Sequence, residues 1–155
     1  MKKLMLVMLM GAIGTATMAQ TKEVEHEKNE KKVTPPAAVK TAFAKDFPGK
    51  EAKAWEAEHG GFEVEFKMDG VDASAVYDKT GHRKETEVSI KTSELPAAAT
   101  EYIKKNHASQ MITEAAKITN DKNVVTYEAE VGKDGKNIDL IFDTNGKFIK
   151  QSKED

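Results

Sequence analysis

The chain has 155 residues and a formal net charge of −2, with basic and acidic residues interspersed, which speaks against nucleic acid as a partner. It contains no cysteine, so disulfides, a standard structural zinc site and lipid attachment at a cysteine are all excluded. Stability must come from a packed core.

Residues 1–19 have the layout of a secretory signal. Lys2 and Lys3 are followed by an apolar run from Leu4 to Ile13 and by the small-residue stretch Thr17-Met18-Ala19. The run is shorter than the roughly 20 residues of a membrane-spanning helix, which favours cleavage before Gln20 over an uncleaved anchor. No stable membrane insertion is then expected. Cleavage removes two lysines and no acids, leaving 22 basic and 26 acidic residues. Residues 20–32 are polar or charged except for Val24, the pattern of a flexible linker that cannot offset its ordering entropy by burial.

Thr34-Pro35-Pro36 predicts a helix start, with Thr34 as cap and Pro35 in the first turn. Val39, Phe43 and Phe47 follow at four-residue spacing, an apolar stripe closed by Pro48-Gly49. Lys50 to Ala57 predicts a first strand carrying Trp55, with a turn at Gly60-Gly61. Phe62 to Phe66 alternates apolar and acidic residues, Asp69-Gly70 supplies a two-residue turn, and Ala73 to Tyr77 returns. That register sets Phe62, Val64 and Phe66 against Tyr77, Ala75 and Ala73 on one face. Glu63 and Glu65 then lie beside Val76 and Ser74 on the other. A fourth strand runs from after Gly81 to Ile90.

The pattern then restarts. Leu95-Pro96-Ala97-Ala98-Ala99 echoes Pro35-Pro36-Ala37-Ala38-Val39, with Ser93 as cap, and His107 falls where Phe47 fell. Ala115–Thr119, Val124–Gly132, Lys136–Asp143 and Lys147–Gln151 predict four more strands, and Asp134-Gly135 repeats the turn. The fold class is therefore α+β in two layers: a tandem repeat of one helix plus a four-stranded antiparallel sheet, at residues 33–92 and 93–151.

No nucleophile elbow, paired-histidine metal motif or phosphate loop occurs, and nothing nominates a general base. The reading is a non-enzyme without a cofactor. Asp143-Thr144-Asn145-Gly146 resembles the start of a calcium loop, but its glycine is two positions early and the closing glutamate is missing. It and Asp78-Lys79-Thr80-Gly81 read better as hairpin turns.

Residues Pro36 to Phe43, Phe47-Pro48-Gly49, Trp55, Phe62 to Phe66 and Asp69-Gly70 resemble the beta-lactamase-inhibitor-like, PepSY-like family, small exported proteins found mostly in Bacteroidetes. Leu95 to Ala98, Tyr102 to Lys105, Tyr127 to Val131 and Asp143 to Lys147 match its second half. The resemblance covers residues 33–150. It implies tandem helix-plus-four-strand units, a periplasmic or secreted location and no known catalysis. It carries over no binding residues; Asp69 or Asp134 is only a loose analogue of the turn acid of the inhibitor, and the absence of cysteines departs from that inhibitor.

The sheet face turned away from the helices supplies the candidate binding residues Glu63, Glu65, Val76, Glu128, Glu130, Asp139 and Ile141. Glu130 opposes Asp139 and Glu128 opposes Ile141, an acidic face with one exposed aliphatic residue per repeat. Such a face suits a basic protein or peptide partner in the envelope. A merely solvated face neutralised by Lys117 or Lys147 is the alternative. Three functions follow: a binding module for a protein or peptide, an inhibitor of a secreted hydrolase, and a small-ligand or cation-binding envelope sensor.

Overall fold

The computed structural model describes residues 33–133 and 136–153. The expected signal peptide, the linker and the Asp134-Gly135 turn lie outside the described residues.

Helix α1 (Ala37–Asp46) is followed by strands β1 (Ala54–Glu58), β2 (Gly61–Met68), β3 (Val71–Tyr77) and β4 (Arg83–Ser89). A short 3-10 turn (Thr92–Glu94) then leads into helix α2 (Ala97–Asn106) and strands β5 (Met111–Asn120), β6 (Val125–Lys133), β7 (Lys136–Asp143) and β8 (Phe148–Lys153). The strands form one antiparallel sheet in which each pairs with its neighbour in sequence.

The two four-stranded sheets expected from the sequence are thus one eight-stranded sheet. The seam is the β4–β5 pairing, where Glu87 lies opposite Ile118 and Val88 opposite Lys117. Pairing there removes two open strand edges, each of which would otherwise expose a row of unpaired N–H and C=O groups. With a partner on both sides, β5 extends well beyond the predicted Ala115–Thr119.

Both helices start one residue after a proline rather than at a capping side chain. Neither Pro36 nor Pro96 offers a side-chain acceptor, and neither Thr34 nor Ser93 acts as the expected cap. The proline carbonyls begin the ladders, taking the N–H of Val39 at 3.1 Å and of Ala99 at 2.9 Å. Ser93 is instead part of the 3-10 turn. The first hairpin turns at His59-Gly60, one residue earlier than expected, because Glu58 pairs with Gly61.

The β2–β3 register is the predicted one, with Phe66 opposite Ala73, Val64 opposite Ala75 and Phe62 opposite Tyr77. Its turn residues Asp69 and Gly70 have φ of 52° and 91°, the left-handed pair that matches the twist of a two-residue hairpin. The core below α1 joins Val39, Phe43 and Phe47 to Val64, Phe66, Ala73, Ala75 and Tyr77. Phe66 meets Phe43 edge-on at 5.2 Å and Phe47 at 4.6 Å between ring centroids. Tyr77 donates a hydrogen bond to Asp46 Oδ2 (3.2 Å), and Arg83 pairs with the same carboxylate, which ties the end of α1 to β3 and β4.

The second core joins Leu95, Ala99 and Ile103 to Ala115, Ala129, Val131, Leu140 and Phe142. Tyr102 stacks on Phe148 with ring centroids 4.6 Å apart. Each helix therefore sits on the same sheet face above its own group of strands.

The turns Asp78–Gly81 and Asp143–Gly146 are closed by their own aspartates. Asp78 Oδ1 accepts the N–H groups of Thr80 and His82, and Asp143 Oδ1 those of Asn145 and Lys147. Both turns press on a helix start. A Cβ on Gly146, whose φ is +79°, would lie 2.6 Å from Ala99 N. Gly146→Ala is expected to destabilise the protein by at least about 1–2 kcal/mol from the left-handed backbone alone. Urea unfolding checks this, and an unchanged midpoint would mean that the turn does not bear on α2.

Candidate functional site

Alternation along the strands fixes which side chains share the helix-free face. Across β1, β2, β3 and β4 one row reads Glu56, Glu63, Val76 and Glu85. The next reads Glu65, Ser74 and Glu87 on β2, β3 and β4, then Ile118 on β5. A third crosses Ala116, Glu128, Ile141 and Lys150 on β5 to β8, and a fourth Glu114, Glu130 and Asp139. Sequence alternation placed all seven candidate residues on this face, with Glu63 opposite Val76, Glu128 opposite Ile141 and Glu130 opposite Asp139.

The expected solvation is corrected. Val76, Ile141 and Asp139 are at most 2% exposed, and Glu63, Glu128 and Glu130 at most 8%; only Glu65 among the seven is half-buried. The expected exposed aliphatic residues are therefore buried. The two lysines considered as neutralisers do not belong to the acidic rows. Lys117 shares its row with Val88 and Tyr127, which pack against the helix-side cores, and Lys147 lies in the turn after β7. Lys150, opposite Ile141, lies on this face, as does Lys67 of β2, which pairs with Asp72.

Sequence reasoning missed Glu85 and Glu87. Both lie on β4, whose Arg-Lys-Glu-Thr-Glu-Val-Ser run has one aliphatic residue and gave weak alternation. The signal was nevertheless present, because Glu85 and Glu87 share the parity opposite to Val88.

Glu87 is the centre of the face. It is fully buried, and neither carboxylate oxygen has a hydrogen-bond partner. One oxygen each of Glu63, Glu85 and Glu128 is likewise buried and unpartnered. Burial is the main cause that pushes the Glu63 carboxyl up to about 7, with Ser74 beside it acting in the opposite sense. Burial also raises Glu85 to about 7, against the pull of Lys150. Glu87 and Glu128 are held well above the usual carboxylate range by burial first and then by the neighbouring acids, Glu128 beside Glu87 and Asp139 beside Glu128.

Among the described residues no group of three or more histidine, aspartate or glutamate side chains is arranged to hold a metal ion. The face is thus a set of crowded carboxyls separated by aliphatic side chains rather than a chelating cage. Asp69, the turn acid of the first half, is exposed and paired with Lys50 at 3.0 Å. On the helix side a cavity of about 650 Å³ is lined by Leu95, Ile103, His107, Gln110 and Ile112 among others. His107 there caps α2 and bonds through Nδ1 to Gln110, a boundary role as its position suggested.

Residues 61–150 match the family model described as "Putative beta-lactamase-inhibitor-like, PepSY-like". The chain matches no curated protein. Similar solved structures include a putative periplasmic protein from Bacteroides eggerthii DSM 20697, with 18% identity over 78% of this chain and 90% of that one and a TM-score of 0.70. A DUF2874 family protein from Bacteroides uniformis ATCC 8492 has 19% identity over 77% and 90%, with a TM-score of 0.69. A BLIP-like protein from Bacteroides fragilis NCTC 9343 has 20% identity over 78% and 87%, with a TM-score of 0.62. At these identities the likeness is one of fold.

Proposed function

The chain belongs to the beta-lactamase-inhibitor-like, PepSY-like family, and from that premise we propose that it is a non-enzymatic periplasmic module that binds a protein or peptide through its helix-free sheet face. The observation that carries this reading is Glu87, buried without a hydrogen-bond partner among other carboxyls. Such an arrangement costs stability and adds nothing to the packing of either core. A binding face that costs stability is the usual trade between stability and function.

Glu63, Glu65, Val76, Glu128, Glu130, Asp139 and Ile141 are the binding residues of this reading, joined by Glu85 and Glu87. Residues 33–92 and 93–151 are read as one duplicated helix-plus-four-strand unit, so each unit brings acids and aliphatic residues to a common face, Val76 from the first and Ile118 and Ile141 from the second. Among the described residues no helix is long and apolar enough to cross a membrane. A periplasmic or secreted location belongs to this reading and agrees with the wording for the Bacteroides eggerthii neighbour.

Crosslinking and capture from the envelope fraction tests the reading. The wild type is expected to retain a protein that the folded Glu130→Gln/Asp139→Asn double variant retains less. Equal capture of every envelope protein by both would overturn it.

A further inference from the structure

The two halves differ most in what lies under the end of each helix. Helices α1 and α2 each run for ten residues from the position after a proline, so Ile103 and His107 take the places of Phe43 and Phe47. By the strand pairings, Ala115 on β5 takes the place of Trp55 on β1. In the first half these three positions are filled by rings, with Phe43 lying 5.6 Å from Phe47 and 5.8 Å from Trp55 between centroids. The second half sets an isoleucine, a histidine and an alanine there, and the cavity of about 650 Å³ opens beside Ile103 and His107. Tyr102 and Phe148, rings of this half, stack on each other and do not line it.

The cavity is open to solvent as well as apolar. Leu95 and Ile103 are its buried floor, whereas half-buried Ile112 and His107 and exposed Ala108 and Lys104 are its walls. Its volume falls within the roughly 300–1,000 Å³ of small-molecule sites. Lys104 is its cation, and among the described residues no aspartate or glutamate lines it. The His107 ring is held in place through Nδ1, bonded to Gln110 Oε1 at 2.8 Å.

We propose that this cavity binds a small organic acid, a monocarboxylate with an aliphatic body. The aliphatic body lies on Leu95, Ile103 and Ile112, in the space that the first half fills with its own rings, and leaves water as it does so. The carboxylate stays at the mouth, where Lys104 supplies the opposite charge. A cationic ligand of the same shape would meet Lys104 with no acid to offset it. The site lies on the helix side of the sheet and is independent of the sheet-face reading above.

Octanoate is the probe, titrated into the protein by calorimetry. Octanol offers the same tail uncharged, octylammonium the same tail with a cation, and acetate the head alone. Octanoate is expected to bind, octanol about fivefold more weakly, octylammonium more weakly still and acetate not at all. Amide NMR resonances of Ile103, Gln110 and Ile112 should shift with octanoate, and those of Phe43 and Trp55 should not. Lys104→Gln should weaken octanoate about fivefold and leave octanol unchanged. Lys105→Gln, an exposed neighbour that does not line the cavity, should change either by less than about twofold. His107→Phe, which gives α2 the ring that follows α1, should fill the cavity and abolish octanoate binding. Circular dichroism confirms that each variant is folded, and exposed Lys104 keeps the test decisive if the phenylalanine does not fit.

Octanol bound as tightly as octanoate, or equal loss in Lys104→Gln and Lys105→Gln, would overturn the carboxylate chemistry. Undiminished octanoate binding by folded His107→Phe, or octanoate shifts that are absent or confined to other residues, would overturn the site.

Discussion

Phe66→Ala is expected to cost the fold about 3–5 kcal/mol, the range for removing a buried phenylalanine ring. Phe66 is fully buried at the point where Phe43 of α1 and Phe47, just after its end, converge on β2. Truncation removes the aromatic contacts to Phe43 and Phe47 and opens a cavity under the first helix alone. Phe43→Ala should fall in the same range, and because the two rings touch, the double variant should cost less than the sum. Urea denaturation of the single and double variants measures all three. A loss below about 1 kcal/mol at both sites would mean that β2 is out of register by one residue, since such a slip turns its whole apolar set to the other face.

The second large effect is a stability that falls toward neutral pH. The carboxyls of Glu63 and Glu85 sit at about 7 in the fold against an ordinary 4.5, and Glu87 and Glu128 are raised as well. Where the folded chain holds protons that the unfolded chain has released, stability declines as pH rises. Below about pH 4.5 both states are protonated and no cost arises; from there stability drops up to about pH 7 and continues falling for the more strongly raised pair. Each of Glu63 and Glu85 taken alone is worth on the order of 2–3 kcal/mol, though the neighbours are too close for the values to add. The depressed carboxyls of Asp72 and Asp78 work in the opposite sense, with stability lost only as pH falls below about 4, and both are well exposed.

Glu87→Gln is therefore expected to be nearly neutral at pH 4 and to stabilise the protein by about 1–3 kcal/mol at pH 8. The groups facing Glu87 are acidic: Glu128, Glu63, Glu85 and Asp139 all disfavour its charge. Thermal melts of both proteins from pH 4 to 8 decide the matter. A wild type that gains stability between pH 5 and pH 8 would show that these carboxyls are not held protonated.

The parts of the fold that could be read in advance are those where a local rule leaves one solution. Asp69-Gly70 between alternating runs admits a single tight hairpin, so every β2–β3 pair followed from it. The second hairpin was equally legible, since Tyr127, Ala129 and Val131 face Phe142, Leu140 and Ile138 as their alternation requires. What could not be read is the pairing of β4 with β5. It joins strands separated by α2, and no turn chemistry encodes it.

The candidate face shows the same division. Its membership follows from parity, which is local, whereas its burial depends on what the folded chain places around each carboxyl. An alternating Glu in a sequence looks the same whether it meets water or a neighbouring acid. Glu85 and Glu87 were overlooked for a related reason: β4 carries so few apolar residues that only its partners on β3 and β5 reveal which face the acids occupy.

The uninterrupted sheet order also has a kinetic consequence. Every strand pairs with the one before it, and six of the seven connections are tight turns or short loops. Closing them requires little chain entropy, so hairpins can form at several places at once. The remaining connection, residues 90–110, must draw in α2 before β4 and β5 meet. That step is the long closure of this topology and the natural barrier to completing the sheet. It also makes the β4–β5 ladder the first place for the native molecule to part, and amide exchange should find its hydrogen bonds opening before those of β2–β3 or β6–β7.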